Sequence, residues 1–256
     1  MSDRFVILTA PRSGSNMLVG LLEQHPEVRC FGELMRSTPR WFPEGTRVPR
    51  PDSVLHLFRL LEDRYPSDAA RFSDPGGFLE AAFATRPGGA VYGFKQHLQQ
   101  QPELAARLIA DRRYALILLR RENALAQYSS EKIARRTGQG SAKRGEVVVK
   151  ATVAFDAGEF GRYVEQWERR WAWVLGLVEA SGRSSARVSY EDLVSGDGAA
   201  RVFAQLGLQK PAGLEPVTQR RNSPRIAERF DDPAAVVEAV TAMGRAGWLE
   251  ELSEVS

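Results

Sequence analysis

The stretch Phe5-Val6-Ile7-Leu8-Thr9-Ala10-Pro11-Arg12-Ser13-Gly14-Ser15-Asn16-Met17-Leu18 runs from an apolar strand, through a tight turn of small residues, into an apolar-periodic helix. That order makes an anion site. Amide groups at a helix N-terminus have no partner within the helix and carry partial positive charge, and Gly14 lets the backbone come close to a bound oxyanion. The loop is P-loop-like without being a Walker loop. The pattern G-x-x-x-x-G-K-[ST] needs a lysine for the outer phosphates, and both that lysine and the first glycine are missing. Arg12 supplies the charge instead, through a planar fork of donors suited to phosphate or sulfuryl oxygens. Serine and glycine are also ordinary turn and cap residues, so the loop alone reads equally well as a plain strand-to-helix connection.

A second stretch decides between the two. In Tyr114-Ala115-Leu116-Ile117-Leu118-Leu119-Arg120-Arg121 an apolar run ends in two arginines, as expected of a buried parallel strand that delivers charge to the edge of its sheet. Ligands bind at that edge in open α/β folds. Ser129 follows Arg121 by eight residues, about two helical turns, so both face one side if the helix starts near Asn123. Strands are predicted over Arg4 to Ala10, Val28 to Phe31, Val91 to Gln96, Tyr114 to Leu119 and Ala186 to Tyr190, with helical patterns between them. The fold class is α/β, an open parallel sheet of about five strands flanked by helices. Right-handed crossovers gather the strand ends on one edge, where Arg12, Glu33, Lys95, His97, Arg121 and Ser129 converge. Lys95 stands out, because a lysine closing an apolar strand is costly to bury without a negative partner.

Taken together, these motifs resemble the sulfotransferase superfamily that uses 3′-phosphoadenosine-5′-phosphosulfate (PAPS). The Arg-Ser-Gly-Ser loop and Phe31-Gly32-Glu33 look most like the bacterial branch that includes trehalose and lipopolysaccharide-type sulfotransferases. Val91-Tyr92-Gly93-Phe94-Lys95, Tyr190-Glu191-Asp192-Leu193, Arg221-Asn222-Ser223 and Ile226-Ala227-Glu228-Arg229-Phe230 extend the likeness along most of the chain. The resemblance implies that Arg12, Ser13, Gly14, Ser15 and Asn16 hold the 5′-phosphosulfate, although a hydroxyl residue is more usual at Asn16. It implies that Arg121 and Ser129 fix the 3′-phosphate, with Arg220, Arg221 and Ser223 closing over it. Lys95 is expected to stabilise charge on the group in transit. The base is open between His97, in a Lys-x-His pattern, and Glu33, in the position used by the bacterial branch. His97 shares a strand face with Lys95, whereas Glu33 would equally suit pairing with Arg12 or capping the next helix. The implied reaction gives adenosine 3′,5′-bisphosphate and a sulfated small-molecule or carbohydrate hydroxyl, without metal. A P-loop kinase-like phosphotransferase and a noncatalytic nucleotide-binding module are the alternatives. The family includes dimers, so a homodimer is admitted.

Composition bounds the rest. The chain has 256 residues, 43% hydrophobic and 26% charged, enough for one domain with a sizeable core. A balance of 35 basic against 32 acidic residues, net +3, gives no argument for a nucleic-acid partner. No run approaches an integral membrane segment, and Asp3 and Arg4 precede only a short apolar stretch, so a cytoplasmic protein is expected. Cys30 is the single cysteine and reads as a small buried residue, while His25, His56 and His97 are too scattered for a metal. The helical spacing of Phe160, Tyr163, Trp167, Trp171 and Val174 reads as a core stripe. Residues 137–152 read as a basic loop, either a lid or a passive surface segment. Trp41 and Phe42 read as packed loop residues, with an acceptor-pocket lining as the alternative, and the Tyr190-Glu191-Asp192 carboxylates read as caps or supports for basic loops.

Overall fold

Each of the predicted strands is present and they form one sheet, in a computed structural model that describes residues 2–36, 54–85, 91–219 and 221–251. The strands are β1 (Arg4–Thr9), β2 (Val28–Cys30), β3 (Val91–His97), β4 (Tyr114–Arg120) and β5 (Ser185–Ser189). All neighbours are parallel, in the order β2-β3-β1-β4-β5. The chain builds outward from β1 in both directions, and β1 lies at the centre with β3 and β4 on its two sides. Thr9 at the end of β1 is level with His97 on β3 and with Leu119 on β4. Residues remote in sequence therefore leave the sheet side by side at its carboxyl edge. Thr9 Oγ1 donates to the Leu119 carbonyl at 2.8 Å, which ties two of these strand ends together.

The apolar runs are continuous because helices cover both sheet faces. Alternation along each strand sorts the side chains. Phe5, Ile7, Cys30, Ile117, Leu119 and Val188 pack against α1 (Ser15–Leu22) and, further along the chain, the helix Asp197–Leu206. Val6, Leu8, Phe94, Leu116 and Leu118 pack on the opposite face. That face is covered by α2 (Val54–Leu60), α3 (Asp68–Ser73), α4 (Pro75–Ala84), α5 (Pro102–Ala110), α6 (Ala124–Thr137) and α7 (Ala157–Ser181). Gly93 makes this layering possible at one point, since a Cβ there would stand 2.3 Å from the Phe5 ring. Cys30 is buried, and that burial pushes its thiol up to about 12.

The α7 stripe is core. Phe160, Val164, Trp167, Trp171, Val174 and Val178 recur at three- and four-residue spacing and are all buried. One boundary differs from the sequence reading. Tyr190 does not end β5 but opens α8 (Tyr190–Ser195), because Ser189 and Asp192 form a reciprocal capping box. Among the described residues the remaining α-helices are α9 (Asp197–Leu206) and α10 (Pro233–Ala242), with short 3-10 turns at Ile226–Arg229 and Ala246–Leu249. No helix among the described residues is long and apolar enough to cross a membrane.

Candidate active site

The turn after β1 is built to present amides. Gly14 is the N-cap of α1 at φ 83°, in the left-handed region, and no side chain caps the helix. Leu18 N donates to Gly14 O at 3.0 Å, so the amides of Ser15, Asn16 and Met17 precede the first intrahelical bond. The first turn of α1 carries no acidic residue that would neutralise this end. Arg12 is itself left-handed, at φ 66°, a conformation uncommon outside glycine. Its strain is held by neighbours. Arg121 donates to the Arg12 carbonyl at 3.0 Å. Gln127 on α6 donates to Pro11 O at 2.6 Å and to Ser13 Oγ at 3.3 Å, and its own carbonyl accepts from Trp167 Nε1 at 3.1 Å.

Among the described residues, three arginines converge on the resulting cleft. It holds about 740 Å3 of open space, and Arg12, Arg121 and Arg221 line it together with Gly14, Ser15, Asn16 and Tyr190. Arg12 Nε donates to Ser130 Oγ at 3.0 Å, and its terminal nitrogen donates to the Gly140 carbonyl. Burial, with repulsion from Arg221 and Arg121, lowers the Arg12 guanidinium to about 10. Arg221 is lowered as well, by burial, and one of its terminal nitrogens has no hydrogen-bond partner. Arg121 is paired with Glu251, whereas the repulsion between Arg12 and Arg221 is unfavourable until an anion enters. Tyr190 completes one wall: the Arg121 guanidinium stacks over its ring at 4.6 Å, and the ring edge fills the space where Gly14 would carry a Cβ.

The opposite wall comes from residues 140–142 and 218–219. These segments run antiparallel, with Gln219 N bonded to Ala142 O and Arg144 N to Val217 O, both at 3.1 Å. Part of the 137–152 loop thus forms a side of the cleft.

Lys95, His97 and Glu33 gather next to the loop. Lys95 and His97 lie on the same face at the end of β3 and are both buried. Glu33 Oε1 is 3.1 Å from Lys95 Nζ and 3.8 Å from His97 Nε2. Glu33 is thus the negative partner that burial of Lys95 requires. Lys95 Nζ also donates to Asn16 Oδ1 at 2.5 Å, which links the cluster to the first turn of α1. Burial works against the Glu33 charge, but Lys95 and His97 outweigh it and hold the carboxyl below its usual range. His97 falls below the usual imidazole range because burial, aided by Lys95, exceeds the pull of Glu33. Near neutral pH the set is ionised Glu33 beside neutral His97, and His97 Nε2 has no hydrogen-bond partner.

The expected residues divide into groups. Arg12, Gly14, Ser15, Asn16, Arg121 and Arg221 line the cleft. Ser13 is fully buried beneath the loop against Gln127, and Ser129 is fully buried with its hydroxyl on Ala126 O at 3.1 Å. Ser223 donates to Glu228 at 2.7 Å and lines a second cleft with Arg229 and Lys150. Arg220, Trp41 and Phe42 lie outside the described residues. Sequence reasoning missed Ser130, Gln127, Tyr190 as a wall, Arg229 and Glu251. The position of Ser130 on α6 was available as a signal, whereas Glu251 reaches Arg121 across 130 residues with no pattern to announce it.

The sequence matches a family model described as "Sulfotransferase family" over residues 4–211. The chain belongs to the sulfotransferase family. The matched span contains β1 through β5 and every site residue so far described up to α9. A shorter similarity runs to Nodulation protein H of Rhizobium tropici, 34% identical over 87 residues. That alignment covers 34% of this sulfotransferase-family chain and 34% of the relative.

Proposed function

We propose that the protein transfers the sulfuryl group of PAPS to a hydroxyl of a small-molecule or carbohydrate acceptor. The observation that carries this reading is the pairing of an uncapped helix N-terminus and three arginines with an adjacent Lys95–Glu33–His97 cluster, joined through Asn16. An anion-binding loop alone would suit many ligands. A buried cation and a candidate base beside it suit a group transfer from that anion.

The residues fit the donor. The α1 amides and Arg12 would hold its 5′-phosphosulfate, and Arg121 and Arg221 supply further positive charge for phosphate along the same cleft. The donor supplies a sulfuryl group activated by its anhydride link to phosphate. The chain then has three tasks. Arg12 and the amides orient that group by fixing its oxygens. Lys95 stabilises the negative charge that builds on the oxygens during transfer, at a site already shielded from water. His97, neutral and with Nε2 lacking a partner, takes the acceptor hydroxyl's proton, and ionised Glu33 stabilises the imidazolium that forms 3.8 Å away. Glu33 is then a positioning and charge-balancing residue. The membership of the chain in the sulfotransferase family weighs for sulfuryl over phosphoryl transfer. The test is a transfer assay with 35S-labelled PAPS and a panel of sugar, glycolipid and phenol acceptors. Label moving to an acceptor in the unaltered protein, and failing to move in His97→Asn, is the expected result. Label that binds and never leaves the donor would make this a binding module.

A further inference from the structure

The Arg121 anion site already holds an anion, the carboxylate of Glu251. Glu251 is buried, at 7% exposure, and its two oxygens are divided between the guanidinium groups of Arg121 and Arg229. Arg229 is more deeply buried still, at 2%, and its other terminal nitrogen donates to Ser129 Oγ at 3.2 Å. Its Nε donates to Ser223 O at 2.8 Å. Arg121 and Ser129, eight residues apart in sequence, are thus linked through Glu251 and Arg229. The carboxylate reaches this place on the segment that follows the turn Ala246–Leu249. The turn itself is anchored, because the Trp248 ring packs edge-on against Phe160 and Trp167 and Leu249 lies against the core. Beyond it the chain is held by hydrogen bonds: Asn123 Nδ2 donates to Glu250 O at 3.2 Å, and Glu251 N donates to Pro224 O at 3.0 Å. Glu251 also lines the cleft, so a ligand in the cleft meets it directly.

We infer that Glu251 is a built-in carboxylate occupant of the Arg121 and Ser129 anion site, shared with Arg229, and that an incoming phosphate monoester displaces it. This rests on the proposed use of an adenosine 3′,5′-bisphosphate donor and names a regulation of that same site. A carboxylate and a phosphate both accept from guanidinium forks. The phosphate brings more charge and three acceptor oxygens, so it competes successfully, but only after the Glu251 segment withdraws. Binding of the 3′-phosphate is therefore coupled to release of residues 250–251, while the 5′ group on the α1 amides is not. In the absence of the donor the Glu251 carboxylate keeps two buried arginines neutralised.

Two measurements test this. The first is calorimetric titration of unaltered protein and Glu251→Gln with adenosine 3′,5′-bisphosphate and, separately, with adenosine 5′-monophosphate, which lacks the 3′-phosphate. If the occupant leaves the site free in a tenth of molecules or fewer, removing its charge tightens the bisphosphate by about tenfold or more. The 5′-monophosphate should be unchanged. The second uses the unaltered protein, so that a poorly folded variant does not decide the matter. Hydrogen exchange with and without the bisphosphate should show slower exchange at residues 13–18 and faster exchange at residues 250–251. A bisphosphate affinity that is equal or weaker in Glu251→Gln, or exchange at 250–251 that is unchanged or slower, overturns the inference and makes Glu251 a fixed support for Arg121. No bisphosphate binding by either protein overturns the donor assignment, and this subsite with it.

Discussion

Replacing Lys95 by Met removes the charge between Glu33 and the α1 loop and keeps most of the volume. Lys95 Nζ and Glu33 Oε1 are 3.1 Å apart, and two unit charges at that distance attract by roughly 5 kcal/mol at an effective dielectric of about 20. Desolvation of both groups offsets part of this, and the Glu33 side chain keeps 23% exposure, so about 2–3 kcal/mol of net destabilisation is expected when Glu33 loses its partner. Lys95 is the leading cause that holds the Glu33 carboxyl low against the cost of burial, so the Glu33 carboxyl moves upward in the variant. The functional loss should be larger, about 100-fold to 1000-fold in turnover, as for removal of a group aimed at charge developing in a transition state. Adenosine 3′,5′-bisphosphate carries no sulfuryl group, so its affinity should stay within about threefold of the unaltered protein. The assay is single-turnover transfer of 35S, paired with calorimetry on the same preparations. A turnover loss below about tenfold, or a bisphosphate affinity that falls as far as turnover, would refute the role given to Lys95.

The base can be assigned by pH. His97 lies below the ordinary imidazole range because it is buried. Turnover should hold as pH falls past the point where an ordinary imidazole protonates and drop only below it, as His97 takes up a proton. His97→Asn should abolish that limb and cost about 100-fold or more, while Glu33→Gln should move the limb and cost less; the reverse order would transfer the base to Glu33. Gly14→Ala should cost about 1–3 kcal/mol in denaturant unfolding, since a Cβ there sits at positive φ and 2.6 Å from the Tyr190 ring; a loss under about 0.5 kcal/mol would mean that the turn is not held as described. Arg121→Ala should weaken the bisphosphate by about tenfold or more, with a smaller effect on adenosine 5′-monophosphate; equal losses would place Arg121 at the 5′ end of the cleft.

The fold was legible because its signals are local. Continuous apolar runs from Phe5 to Leu8 and from Tyr114 to Leu119, each ending in a turn or in charge, specify buried parallel strands, and Asn123 caps α6 where the spacing of Arg121 and Ser129 required it. The pairing of Lys95 with a carboxylate followed from the cost of burying a lysine, and topology selected Glu33 by bringing the end of β2 beside β3. The limit lay in contacts between loops. Ser130 rather than Ser129 meets Arg12, a choice set by the pitch of α6 and the left-handed turn at Arg12. Tyr190 was read as a strand end, and its role as a cleft wall depends on the capping box that turns the chain into α8. Glu251 and Arg229 meet Arg121 only through tertiary placement, because neither a motif nor a period relates residues 121, 229 and 251.

The central claim is that the cleft is built for a bisphosphorylated adenosine. Calorimetric titration of the unaltered protein with adenosine 3′,5′-bisphosphate in the presence of a chelator, repeated with ATP and magnesium, tests it most directly. Micromolar or tighter binding of the bisphosphate without metal, at least about tenfold tighter than ATP with magnesium, is the predicted result. Binding of ATP with magnesium and not of the bisphosphate would contradict the account and return the cleft to a phosphotransferase.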